Sequence, residues 1–198
     1  MMDHARLLAR LLDVIERDIV PLTRAAIPQG NKIFGAAILR KSDLSLVIAE
    51  TNNEAENPLW HGEIHAIKKL YERARASLPA PKDCIFLATH EPCSLCLSAI
   101  TWAGYDNFFY LFSHEQSRDS FAIPHDLRIL KEVFTLEPGG YNATNAFWTS
   151  YDMMAMLATL DRGSRETLLE RVDAITALYA DLSAAYQANK GRAGIPLA

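Results

Sequence analysis

Near the start of the chain, apolar residues fall at Leu7, Leu8, Leu11, Leu12, Ile15 and Ile19. Steps of three and four place them on one face, which predicts an amphipathic helix over residues 3–20. Pro21 has no N–H to give and is expected to kink or end that helix, and Pro28-Gln29-Gly30 closes the segment. The period then changes. Ile33 to Leu39 (IFGAAIL) is a continuous apolar run that predicts a buried strand. Leu44 to Ala49 predicts a second strand, its hairpin partner across the turn Arg40-Lys41-Ser42-Asp43. After a polar loop from Asn52 to Pro58, the apolar positions Ile64, Ile67, Leu70 and Tyr71 predict a helix from about His61 to Ala76. Pro79-Ala80-Pro81 ends it. Cys84 to Thr89 (CIFLAT) predicts a third strand, apolar enough to be covered on both faces. Pro92 suits the first position of a helix running to Ala103. Asn107 to Phe112 predicts a fourth strand, residues 125–132 a short helix, and Val133 to Leu136 a fifth strand.

Past Gly139-Gly140 the pattern turns helical, over 145–160 and again from a capping Ser164. The last helix carries apolar or aromatic residues at 168, 172, 175, 179, 182 and 186, one unbroken stripe. Strands alternating with helices predict an α/β protein: a three-layer α/β/α sandwich whose strands are parallel in the second half. The expected organisation is one α/β domain over 1–140. A C-terminal helical extension over 141–198 is expected to pack on it or on a dimer partner.

Composition narrows the class. With 198 residues the chain suits one domain with an appendage, and 49% hydrophobic with 22% charged residues is ordinary for a globular core. A formal charge of −4 argues against a general nucleic-acid binder, which normally shows a basic face. No apolar run approaches the ~20 residues of a membrane span. The amphipathic start lacks the continuous apolar stretch of a signal peptide, so the expected location is the cytoplasm. The cysteines agree: Cys93 and Cys96 form a CxxC pair and Cys84 stands alone, which is no disulfide framework.

The chemistry concentrates in two short runs. His61-Gly62-Glu63 opens one predicted helix, and Pro92-Cys93-Ser94-Leu95-Cys96 opens the next, with a buried strand between them. Either run alone is weak, since CxxC also admits redox and structural-zinc roles. Together they offer thiolate and imidazole donors of the kind zinc favours. Residues three apart share a helix face, so Cys93 and Cys96 can reach one ion, and a helix start stabilises thiolate. Three protein ligands and no fourth Cys or His at ligand spacing leave one position for water, the catalytic arrangement. Glu63, two residues from His61, is turned off the ligand face and suits proton transfer. His65, four residues after His61, is expected in packing or in support of the site.

These residues resemble the cytidine and deoxycytidylate deaminase superfamily, whose zinc enzymes share an H-x-E…P-C-x-x-C pattern. The resemblance covers roughly residues 30 to 135. It is carried by FGAAIL at 34–39, VIAETNN at 47–53, NPLWHGEIHAI at 57–67 and EPCSLCLSAITWAG at 91–104. The last run is close in form to guanine, cytosine and tRNA adenosine deaminases. The resemblance implies a cytidine deaminase-like five-stranded mixed sheet between helices, and a dimer or larger assembly. It implies one zinc ion on His61, Cys93 and Cys96, with Glu63 as proton shuttle. It also implies base contacts from Asn53 (with Asn52 as fallback), Gly62 and Phe34. The expected reaction is attack of zinc-activated hydroxide on the amine-bearing ring carbon of a small amino-heterocycle, with ammonia released. Guanine or cytosine is the first expectation for substrate. The alternatives are a tRNA-specific adenosine deaminase, a nucleoside or nucleotide deaminase, and a degenerate zinc-binding subunit. A homodimer is expected, nucleic acid and membrane are not.

Overall fold

The computed structural model describes residues 3–135, 140–191 and 193–197. Five strands form one sheet in the order β2-β1-β3-β4-β5. They are β1 (Gly35–Arg40), β2 (Leu46–Thr51), β3 (Cys84–His90), β4 (Asn107–Phe112) and β5 (Thr149–Asp152). β1 pairs antiparallel with both β2 and β3, while β3, β4 and β5 run parallel. The expected mixed sheet with a parallel second half is present.

Alternation along the central strands builds two cores. Ala37, Leu39, Ile85 and Leu87 point to one face, and Ala36, Ile38, Cys84 and Phe86 to the other. All seven residues of β3 are buried, as a strand covered on both sides requires. The second face is covered by α3 (Gly62–Tyr71) and α4 (Ser94–Trp102). The first is covered by α1 (His4–Val14), α2 (Val20–Ala26), α7 (Met153–Ala158) and α8 (Arg162–Asn189). Two short helices, α5 (His114–Asp119) and α6 (His125–Phe134), follow β4.

Pro21 does not end the N-terminal helix. Residues Ile15–Ile19 widen into a π-helical turn, with the Val20 N–H reaching back to the Ile15 carbonyl. This wider turn sits just before the proline, where the ordinary hydrogen bond is missing anyway. It presses Ile19 onto the bare Cα of Gly35, where a Cβ would lie 2.3 Å from the Ile19 side chain.

The fifth strand is not at Val133–Leu136. Val133 and Phe134 complete α6 as exposed residues, Thr135 ends that helix in the left-handed conformation, and Leu136 lies outside the described residues. The fifth strand is Thr149–Asp152, a four-residue edge strand inside the span read as helical; only 153–158 of that span is helix. A boundary at residue 140 would therefore leave one strand of the sheet outside the domain expected over 1–140. The 168–186 stripe is buried as read, but within the chain's own core: Leu168, Val172, Ile175, Tyr179, Leu182 and Tyr186 all join the first hydrophobic cluster. It is not available to a dimer partner. Arg171 ties the same helix to Asp13 at 2.7 Å and Glu16 at 3.0 Å.

Candidate metal centre and active-site cavity

The site lies at the carboxyl end of β3, where open α/β sheets usually hold their ligands. Two helices start there. His61 is the residue before the first turn of α3, and Cys93 holds the same position on α4. Neither His61 nor Cys93 spends its own side chain on capping the helix it opens, so the imidazole and the thiol stay free to act as donors at the positive helix ends. Cys96 follows in the first turn of α4.

A close backbone approach sets α3 in place. A Cβ on Gly62 would lie 2.7 Å from the Cα of Gly35 and 3.0 Å from its carbonyl carbon, so only glycine allows this contact with β1. The Gly62 N–H donates to Asn52 Oδ1 at 2.6 Å.

His61, Cys93 and Cys96 bring one donor atom each to within 4.8 Å of one another. His61 Nδ1 lies 3.4 Å from Cys93 Sγ and 3.7 Å from Cys96 Sγ. A tetrahedral zinc ion with ordinary Zn–S and Zn–N bonds separates sulfur from nitrogen by about 3.5 Å. The donor set and its spacing fit zinc.

The electrostatics favour a charged, proton-sharing cluster. The neighbouring Cys96 thiol, and then His61, hold the Cys93 thiol well below the usual thiol range. Burial pushes Cys96 well up. For His61, burial alone would lower the pKa, but the Cys93 thiolate outweighs it and the ring is raised to about 9. Glu63 is 5% exposed, and its Oε2 accepts from Cys96 Sγ at 3.3 Å. Burial first, and then the Cys93 charge, raise the Glu63 carboxyl to about 7. A carboxyl poised near neutrality beside a metal-donor set is suited to giving and taking protons.

A cavity of about 320 Å³ opens on this cluster. His61 and Cys93 line it, with Phe34 and Leu95 as apolar walls and Lys32, Glu54, His125 and Asp126 as polar ones. Burial chiefly, and then the nearby Cys93 charge, raise Asp126 to about 6. A second cavity, about 270 Å³, lies at the opposite end of the strands beside Lys41 and Asp106 and holds none of the donor residues.

Phe34, expected from the sequence to lie near a base, is one of the residues that line the cavity. Asn53 does not line the cavity; its amide donates to Glu56 at 2.7 Å on the exposed side of the loop. Asn52 is the buried one, bonded to Gly62 and, through Nδ2, to Glu54 at 2.9 Å. His65 points to the Thr51 carbonyl at 2.9 Å and stacks on Trp60, so it supports β2 and not the donor cluster. His114 holds the Pro92 carbonyl at 3.2 Å, beside the first cysteine. Sequence reasoning missed Lys32, Glu54 and Asp126. Each is a charged residue in or beside a polar stretch, where charge is unremarkable until the chain closes.

Residues 15–112 match the cytidine and deoxycytidylate deaminase zinc-binding region. The guanine deaminase of Bacillus subtilis (strain 168) is 33% identical over 90 residues, which are 44% of this chain and 54% of the relative. The chain thus spans about half the length of the curated relative it matches. The X-ray structure of guanine deaminase from Bacillus subtilis superposes with a TM-score of 0.50 at 27% identity, over 73% of this chain and 88% of the other. A guanine deaminase structure from Nitrosomonas europaea gives a TM-score of 0.47 at 18% identity, over 80% and 81%. With its zinc-binding region matched and its mixed sheet in the same arrangement, the chain belongs to the cytidine and deoxycytidylate deaminase superfamily.

Proposed function

We propose that the protein is a zinc-dependent hydrolytic deaminase of a nucleobase or related amino-heterocycle, with guanine as the first substrate to test. The observation that carries this reading is the joint geometry of donors and acid: His61 Nδ1 at 3.4 and 3.7 Å from the two thiols, and Glu63 at 3.3 Å from Cys96. His61, Cys93 and Cys96 hold the ion. When bound, zinc supplies Lewis-acid chemistry that brings the pKa of water down to about 7. Glu63 moves the protons. It takes one from the attacking water, passes it to the ring nitrogen next to the amine-bearing carbon, and delivers a second to the leaving amine. One water is consumed, the C–N bond breaks, the ring keeps the oxygen, and ammonia leaves. Phe34 offers a flat apolar surface to the ring. Asn52 and Gly62 are the buried candidates for the polar base contact and Asn53 the exposed one; none of the three lines the cavity wall.

Guanine is favoured because the relatives that match in sequence and in fold are named guanine deaminases. The test is ammonia release by the zinc-loaded chain over guanine, cytosine, adenine, their nucleosides and nucleotides, and a tRNA, with Glu63→Ala as blank. A guanine signal absent from the blank is the expected result. Turnover of tRNA alone would overturn the free-base reading, and silence throughout would overturn the enzyme.

A homodimer through α4 is proposed alongside. Trp102 is 90% exposed on that helix with Leu95 on the same side, and α4 carries no charge, so two net-negative copies can meet there. Sedimentation is expected to give a dimer that Trp102→Glu shifts to monomer; a monomeric wild-type chain would refute it.

A further inference from the structure

Lys32 and Glu54 form an ion pair inside the cavity wall. Nζ lies 2.7 Å from Oε1, and the side chains are 7% and 2% exposed. Burying such a pair brings a desolvation cost that its own attraction only roughly offsets, so stability alone is a poor reason for it. The arrangement around the carboxylate is directed. Oε2 accepts from the Lys32 backbone N–H at 3.0 Å and from Asn52 Nδ2 at 2.9 Å. Oε1 accepts from Lys32 Nζ and faces His61 Nε2 at 3.9 Å.

The other ring nitrogen of His61 faces the two thiols. A neutral imidazole carries one hydrogen, so a lone pair on Nδ1 requires the hydrogen on Nε2, and that hydrogen needs an acceptor. Among the described residues, Glu54 Oε1 is the only hydrogen-bond or ion-pair partner that meets Nε2. Asn52 links the same carboxylate to the start of α3, because its Oδ1 accepts from the N–H of Gly62, the residue after His61. Carboxylate, imidazole and helix start thus form one closed loop. A movement of about 1 Å brings the carboxylate and Nε2 to hydrogen-bond length.

We infer that Glu54 is a positioning residue: clamped by Lys32 and Asn52, its carboxylate takes the Nε2–H of His61 and fixes the ring in the tautomer and direction that present Nδ1 to the metal. This rests on the assignment of His61 as a ligand under the proposed function. Partners of this kind on a metal-binding histidine commonly contribute 10- to 100-fold, as an order of magnitude, in metal affinity.

The test uses the full chain and cobalt(II) as probe, with affinity read by chelator competition and geometry read from the cobalt absorption bands. Glu54→Gln keeps the shape and loses the charge. The double variant Lys32→Met with Glu54→Gln removes both charges, so no unpaired ion is left buried. Asn52→Ser loosens the clamp without touching either charge. The expected result is cobalt bound about 10- to 100-fold more weakly by both Glu54 variants, with shifted bands and a melting temperature in the double variant close to wild type. A smaller shift in the same direction is expected for Asn52→Ser. Unchanged affinity and bands in the variants, with cobalt bound normally by wild type, would overturn this inference and leave the ligand assignment standing. A raised KM with unchanged bands would assign Glu54 to substrate contact and overturn it equally. A wild-type chain that takes up no cobalt would overturn the ligand assignment and this inference together.

Discussion

His90 makes the folded chain lose stability in mild acid, and its surroundings set the amount. The side chain is 3% exposed at the end of β3. Its ring lies 4.6 Å from Phe34, 5.0 Å from Phe112, 5.1 Å from Phe121 and 5.2 Å from Tyr179, centroid to centroid. Nδ1 meets Thr89 Oγ1 at 2.9 Å, and Nε2 has no partner among the described residues. No charged group offsets this cage, and burial alone lowers the ring from 6.5 to about 3. The folded pKa is therefore below the unfolded one. Between those two values the unfolded chain binds a proton that the folded chain refuses, so the stabilisation is present above pH 6.5 and is lost as pH falls. Each unit is about 1.4 kcal/mol, so going from pH 7.5 to 5.0 removes about 2 kcal/mol through this residue. The perturbation is His90→Phe, which keeps an aromatic ring in the cage and removes the titration. Urea unfolding of both proteins at pH 7.5 and 5.0 isolates the effect, because each protein is compared with itself and the other titrating groups cancel. Wild type is expected to lose about 2 kcal/mol more than the variant over that interval. Equal losses would mean that His90 is not held neutral in a closed apolar cage, and the reasoning would fail.

Glu63→Ala is expected to fold and keep its zinc while turnover falls by about 10²- to 10⁴-fold; rates within tenfold of wild type would refute the shuttle. Gly62→Ala drives a Cβ to 2.7 Å from the Gly35 backbone, so a loss of about 1–3 kcal/mol is expected from the forced shift of α3, measured by urea unfolding. An unchanged midpoint would show that β1 and α3 can part at no cost. Asn52→Ala is expected to cut activity while Asn53→Ala changes it little, because Asn52 joins Gly62 to Glu54 and Asn53 bonds only the exposed Glu56. Steady-state rates with the reverse order would restore Asn53 as the base contact.

The donor cluster was legible in the sequence because each part of it is local. A helix start fixes where His61 and Glu63 point, a three-residue step fixes Cys93 against Cys96, and one buried strand joins the two. The α8 stripe was legible for the same reason: period alone selects the buried face, and Leu168 to Tyr186 followed it. What period does not carry is the partner. The same stripe suits a dimer seam or the chain's own sheet, and only closure shows Tyr179 against His90. The fifth strand failed for a related reason. Val133-Phe134 has strand-forming residues but continues an amphipathic helix, whereas Thr149–Asp152 is a short, half-exposed edge strand with little apolar signal.

The residues missed around the cavity share a physical cause. A buried charge reads as a surface charge until its partner is known, and the partner of Glu54 is 22 residues away on the approach to β1. That approach is also where the fold sets the site. The π-helical turn presses Ile19 onto Gly35, and Gly62 presses on the backbone of the same glycine. Thr89 Oγ1 accepts the Gly35 N–H at 3.0 Å and lies 2.9 Å from His90, whose ring touches Tyr179 of α8. The N-terminal helix and the start of α3 thus meet at one residue of β1, and the C-terminal helix reaches it only through Tyr179, His90 and Thr89. Ile19→Ala or Tyr179→Phe is therefore expected to weaken metal binding through Gly35 and the start of α3, and unchanged affinity by chelator competition in both would refute that packed route.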